Sequence, residues 1–328
     1  MRKSVFLALA LVAALIPGLA LSAERTITIV AEEPGGSWYA YSATISKILE
    51  SKTPYKVEII PRGGGIANPS FLERGRADFG FSTSNASAWA RDGLEVVYKG
   101  NKHVNFRGAI GGLQNAYEVY LVRKDYQEKT GLRTLEDMIK ASRPPIMLTE
   151  PTGSQDPIIM DFVLKAMGTD LAAERKRGSV VQISSSQMAD YINDGKAQVF
   201  VANGPQGHST TTEVCMTVDM VPVEPSEAII KGLNAAGMPT ATLPAGVYRG
   251  QDKEYRTNVA ATVFLTHKDV PDEVVYNVVK ALCESVDELH KEHPPLRTWD
   301  PRVGAAAEQM PVDFHPGALK YYKEMGWR

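Results

Sequence analysis

Two cysteines in 328 residues are too few for a disulfide framework, which excludes a small stapled scaffold. Lys+Arg 36 against Asp+Glu 38 leaves no excess of either charge, so the strongly basic field that holds a nucleic-acid backbone is lacking. Glycine (27) and proline (20) stay near average usage, which excludes collagen-like and low-complexity chains. A hydrophobic content of 44% excludes a disordered tail. Beyond residue 23 no stretch is apolar for long enough to cross a bilayer. The glycines match no nucleotide signature: Gly63-Gly64-Gly65 lacks the Gly-x-Gly-x-x-Gly spacing, and no Gly-Lys-Ser/Thr follows a glycine-rich turn. Gly-x-Ser-x-Gly is also missing, so no nucleophile elbow is predicted. Only His290 and His293 pair at a ligand spacing, and two histidines beside Pro294-Pro295 fall short of a metal set.

The chain opens with a basic pair, Arg2-Lys3, and then an apolar run from Val5 to Ile16 that ends at Pro17-Gly18. Small residues follow at Ala20-Leu21-Ser22-Ala23. This layout predicts a secretory signal peptide over residues 1–23 and an exported, mildly acidic mature chain. Cys215 and Cys283 could then form one bridge or stay as two buried thiols.

From residue 24 short β-branched runs alternate with amphipathic stretches, the pattern of an α/β protein. Strands are predicted at 26–30, 56–60, 78–81, 107–110, 119–122, 145–148, 180–183, 198–201 and 259–266. Trp38, Tyr41, Ile45, Ile48 and Leu49 recur at helical spacing, with Ser37 as the candidate N-cap. Thr134 opens a second capped helix, residues 214–223 read as an extended connection, and one helix is expected from Pro271 to about His290.

Five loops rich in Gly, Ser, Thr and Asn follow predicted strands, at 34–37, 63–68, 82–85, 151–155 and 203–205. Loops that feed helix N-termini at the carboxyl ends of strands are where open α/β sheets bind ligands. Glycine lets the backbone come close, the hydroxyls and amides supply neutral donors and acceptors, and the free N–H groups favour anions. A small-molecule cleft is therefore expected, with no cofactor and no metal. The Arg175-Lys176-Arg177 cluster reads as solvated surface or as a partner-docking patch.

Pro34-Gly35-Gly36-Ser37-Trp38-Tyr39, Gly63-Gly64-Gly65-Ile66-Ala67-Asn68, Asp78-Phe79-Gly80-Phe81 and Pro151-Thr152-Gly153-Ser154 occur in that order. With the later segments 243–250 and 315–322 they resemble the TAXI family. These are the solute-binding subunits of tripartite ATP-independent periplasmic (TRAP) transporters. The resemblance implies a type II periplasmic-binding-protein fold, with lobe I at 24–122 and 223–328 and lobe II at 123–222. It also implies a monomeric, non-enzymatic periplasmic receptor that binds an amino acid, oxo-acid or dicarboxylate and docks transiently on TRAP membrane subunits. A ligand-sensing subunit of a membrane-bound signalling kinase is the alternative, and an exported enzyme using His208 or Glu150 as acid–base group a third.

On this reading Gly35, Gly36, Ser37, Gly64 and Gly65 bring backbone and hydroxyl groups to the solute. Trp38 and Tyr39 wall the cleft, although Trp38 could equally be core. Asn68, Ser82 and Asn85 complete the first face, Thr152, Gly153, Ser154, Gln155 and Asn203 form the second, and Arg62 is a candidate carboxylate clamp. Glu32, Glu33, Glu150 and Asp156 depart from the family pattern. Facing the cleft, they would oppose an anion and could partner an ammonium; facing solvent, they would do neither.

Overall fold

The computed structural model describes residues 25–328, so the expected signal peptide lies outside the described residues. Ten strands form one sheet: β1 (Thr26–Val30), β2 (Lys56–Ile60), β3 (Phe79–Thr83), β4 (Phe106–Arg123), β5 (Met147–Thr149), β6 (Val180–Gln182), β7 (Val199–Gly204), β8 (Met220–Pro222), β9 (Thr240–Leu243) and β10 (Tyr255–His267). Their order is β2-β1-β3-β10-β4-β7-β5-β6, with β8 beside β4 and β9 beside β10.

Two parallel groups stand at opposite ends of this order. β2, β1 and β3 run parallel in the first half, and β6, β5 and β7 in the second. Between them, β10 pairs antiparallel with both β3 and β4. β4 spans the junction: residues 106–117 pair with β10, and 117–122 pair with β7. Tyr117 serves both ladders, opposite Val259 on one side and Gly204 on the other.

The helices follow from apolar stripes at helical spacing. In Ser37–Lys52, Trp38, Tyr41, Ile45, Ile48 and Leu49 are all buried. Each such aliphatic side chain contributes about 1.5–3 kcal/mol by leaving water. Thr134 caps its helix as expected, its side chain accepting from the Asp137 N–H, and His315 caps the last helix, Pro316–Glu324. Cys215 and Cys283 are free and buried.

The fold corrects the sequence reading in five places. Residues 107–110 and 119–122 belong to one strand of 18 residues, which carries Gly111-Gly112 through an irregularity rather than ending there. Gly112 has φ +59°, and the β4–β10 register shifts opposite this region. The stretch 214–223 is not an extended connection. Ser209–Thr217 is helical because burying Val214 and Cys215 overrides the β preference of its threonines and of Val214 itself, and β8 follows. The helix expected from Pro271 to His290 is two, Asp272–Cys283 and Val286–Glu292. Ser37 is the first helical residue rather than the cap, a position held by Gly36 without a side-chain bond. β7 runs on through Gly204, so Asn203 sits on a strand and not in a loop.

Candidate functional site

The carboxyl ends of β1, β2 and β3 face the loops after β5, β6 and β7 across a cavity of about 390 Å³. That is the size range of small-metabolite sites. After β1 the chain turns through Pro34-Gly35-Gly36 into the first helix. There the Glu32 carboxylate folds back over the helix start and accepts from the Trp38 N–H at 2.6 Å. Gly36 makes this possible, since a Cβ at that position would lie 2.3 Å from the Glu32 carboxyl group. The N-terminus of this helix therefore already holds a carboxylate of its own chain.

After β2, Gly63 and Gly64 take φ values of +116° and +142°, which L side chains rarely adopt. Asn68, fully buried, fixes this loop: its Nδ2 donates to the Ala31 carbonyl (2.6 Å) and the Phe81 carbonyl (2.8 Å), and its Oδ1 accepts from the Gly64 N–H (3.0 Å). The Ser82 hydroxyl donates to the Gly65 carbonyl at 2.9 Å. The same loop touches the opposite half, where the Ala67 N–H donates to the Gly153 carbonyl at 3.3 Å.

A second contact crosses deeper. The Thr83 hydroxyl donates to Gln155 Oε1 (2.5 Å), and Gln155 Nε2 donates to Asn203 Oδ1 (2.7 Å). Asn203 Nδ2 donates to the Ala116 carbonyl (3.2 Å) and its N–H to Asp156 Oδ2 (3.3 Å). Ser154 Oγ accepts from the Asp156 N–H at 3.2 Å.

Ten of the residues singled out in the sequence line the cavity: Gly35, Gly36, Ser37, Trp38, Gly64, Gly65, Thr152, Ser154, Gln155 and Asn203. Trp38 is both wall and core, since it is buried and stacks on Phe81 at 5.8 Å between centroids. Asn68, Ser82 and Gly153 lie one layer behind and hold the lining loops. Asn85 is buried with neither amide atom bonded, and Tyr39 is half-buried outside the lining. Arg62 is not a clamp on this cavity. It is exposed, and its guanidinium stacks over Phe71 at 5.4 Å, where the turn before Gly63 carries it.

All four acidic residues left open by the sequence, Glu32, Glu33, Glu150 and Asp156, reach the cavity. Glu213 makes a fifth carboxylate, and among the described residues no lysine or arginine lines the wall. Glu150 is central to the field: its carboxylate raises Glu32 and Asp156 and draws on His208. Desolvation in the wall, then Glu150, pushes Glu32 up to about 8. Asp156 is also raised, first by burial and then by Glu150 and Glu118. Burial lowers His208 despite Glu150. Glu150 Oε1 accepts from the Ser185 hydroxyl at 2.5 Å, and His208 Nδ1 lies 2.9 Å from the Thr211 hydroxyl.

Thr83, within the expected loop 82–85, also lines the cavity, whereas sequence reasoning overlooked Gln114, Thr262, Ser184–Ser186, Ser209, Thr210 and Glu213. Gln114 and Thr262 face each other on β4 and β10 and bond at 3.3 Å. Nothing local distinguishes such residues in long buried strands. Ser184-Ser185-Ser186, after β6, was a detectable polar loop of the same kind as the other five.

No three His, Cys, Asp or Glu side chains among the described residues converge to hold a metal ion. His290 and His293 go separate ways, to the Trp299 carbonyl and the Thr44 hydroxyl.

Among solved structures, MatC from Rhodopseudomonas palustris with bound malate superposes with a TM-score of 0.54, at 12% identity over 92% of this chain and 97% of that one. Rpa4515 from R. palustris with adipate gives 0.51 at 12% identity, over 92% and 93%. A structure described as a periplasmic transporter gives 0.50 at 15% identity, over 93% and 94%. At these identities the likeness is one of fold: a two-lobed α/β periplasmic-binding-protein architecture. A family model matches residues 29–326, nearly everything described, and the chain belongs to the NMT1-like family.

Proposed function

We propose that this protein is an extracytoplasmic solute receptor of the TAXI type, not an enzyme. It binds one small organic solute between lobe I (24–122 and 223–328) and lobe II (123–222). It then presents the closed form to TRAP membrane subunits, acting as a monomer in the periplasm. The observation that carries this reading is the single cavity fed by loops of both halves and bridged by Thr83, Gln155 and Asn203. A solute held there touches both halves at once, so it binds the closed arrangement more tightly than the open one and shifts the equilibrium toward it. The malate and adipate in two similar folds support a small-solute role for the cleft.

Mass spectrometry of whatever is released when the purified protein is denatured tests the reading. One small molecule, near one equivalent, should appear, and it should rebind unchanged and raise the melting temperature. A hundredfold excess over Kd stabilises by about 2.7 kcal/mol. Chemical conversion of the rebound molecule would overturn the receptor assignment in favour of an enzyme.

A further inference from the structure

We propose that the solute enters this cavity through a cationic nitrogen, an ammonium, amidinium or guanidinium group, held between Glu32 of the first half and Glu150 of the second. The assignment rests on the receptor reading above and names the class of solute. Several independent features converge on it.

Two of the helix starts an anion would use, those of Ser37–Lys52 and Asp156–Ala166, already carry an acid of the chain. The first helix's amide at Trp38 binds the Glu32 carboxylate, and Gly36 is cut away to admit it. The first turn of Asp156–Ala166 carries its own acid, whose Oδ2 accepts from the Asn203 N–H. Among the described residues no guanidinium or ammonium lines the wall to balance an incoming carboxylate. Behind Asn203 and Asp156 stands Glu118, 1% exposed, with Oε2 lacking any hydrogen-bond partner. A dicarboxylate would thus enter a cleft lined by five carboxyl groups, with no basic side chain among the lining residues to balance its charge.

The donors also indicate the type of cation. Carboxyl groups on two walls suit a cation whose charge is spread over several N–H groups, which can reach both sides at once. Ser184, Ser185, Ser186 and Thr152 offer neutral partners for the rest of the molecule. Because Glu32 and Glu150 come from different halves, closing the empty cleft leaves Glu32 holding a proton, and a cation between the two lets both stay ionised. Charge recognition and lobe closure become one event.

Ligand-stripped protein should be tested by thermal shift and calorimetry against three probe sets: agmatine, arginine and 1,4-diaminobutane; malate and adipate; and glucose with trehalose. At least one cationic probe should raise the melting temperature, and the dicarboxylates should not. Glu150→Gln and Glu32→Gln should weaken the cation that binds by roughly tenfold or more. Their unliganded melting temperatures should hold or rise, because each removes a like charge. Stabilisation by a dicarboxylate or sugar alone, or wild-type cation affinity in Glu150→Gln, overturns the cation assignment and leaves the receptor reading standing. Binding by none of the three sets, with no molecule released on denaturation, removes the receptor reading and the cation with it. Should either variant fail to fold, the charge of the released molecule decides without it.

Discussion

The Thr83 hydroxyl and the Gln155 carboxamide oxygen lie 2.5 Å apart, a hydrogen bond between residues that start in opposite halves of the sheet. Both side chains are buried, and Gln155 passes the contact on to Asn203. Thr83→Val keeps the shape but strands the Gln155 oxygen, a loss of about 1–3 kcal/mol. Solute affinity should fall roughly 5- to 100-fold by calorimetry, while Thr83→Ser retains most of it. Equal affinity in all three proteins would show that this bond does not support the closed form.

Gly64 offers a second way to separate the halves. Its φ of +142° excludes most side chains, and a Cβ there would meet the Gly153 carbonyl oxygen at 2.8 Å. Gly64→Ala should therefore wedge the cleft and cut affinity by tenfold or more. Gly35→Ala is the control, with φ +100° but open space around the added carbon. It carries backbone strain alone and should affect binding less. Small-angle scattering with solute would read the difference as a failure of the Gly64 variant to compact.

Asn68 acts on stability rather than on contact with solute. Truncation to alanine leaves two carbonyls and one N–H in the core without their partner, a cost of about 2–4 kcal/mol. Asn68→Asp should fail comparably, since a carboxylate cannot donate to the Ala31 and Phe81 carbonyls. Denaturant unfolding measures both; a change below about 1 kcal/mol would contradict the role.

Much of this site was legible because its loops advertise themselves chemically. The turns at 34–37, 63–65 and 151–155 need glycine for backbone geometry, and that need is visible in the letters alone. Strand alternation and the stripe from Trp38 to Leu49 likewise follow from periodicity. What stayed hidden was direction. Arg62 sits two residues from Gly64 yet stacks on Phe71, and Asn68 turns inward to bond backbone rather than outward to a ligand. Those outcomes depend on packing partners 9 to 38 residues away, which no local spacing encodes. The break expected between 110 and 119 is missing for a related reason: a strand held by β10 along 106–117 and by β7 from 117 onward can carry a distortion at Gly111-Gly112 that would end an isolated one.

The acidic wall makes stability depend on pH. Glu32 and Glu118 both sit near 8 in the folded protein against an ordinary 4.5, each raised chiefly by desolvation. The folded state thus keeps protons that the unfolded chain releases, and stability is lost as pH rises from about 4.5 through 8. His208, lowered by burial, acts oppositely, but only as pH falls below its ordinary 6.5. Above 6.5 the carboxyl effect remains alone. The groups facing Glu32 are Glu150 and Asp156, with Glu33, His208 and Glu213 elsewhere in the wall and Glu118 behind it. The unliganded melting temperature should fall between pH 6.5 and about 8.5, and Glu32→Gln should flatten the slope. A bound cation should oppose that fall, so its stabilising effect should grow over the same interval.

The position of β10 has a consequence for how the molecule is made. It fills the slot between β3 and β4, yet it is the last strand to leave the ribosome. Until His267 has been synthesised, both of those earlier strands carry open edges that could pair with other chains. Assembly therefore runs against the direction of translation: the amino-terminal third waits, incomplete, for its keystone from the carboxyl-terminal quarter.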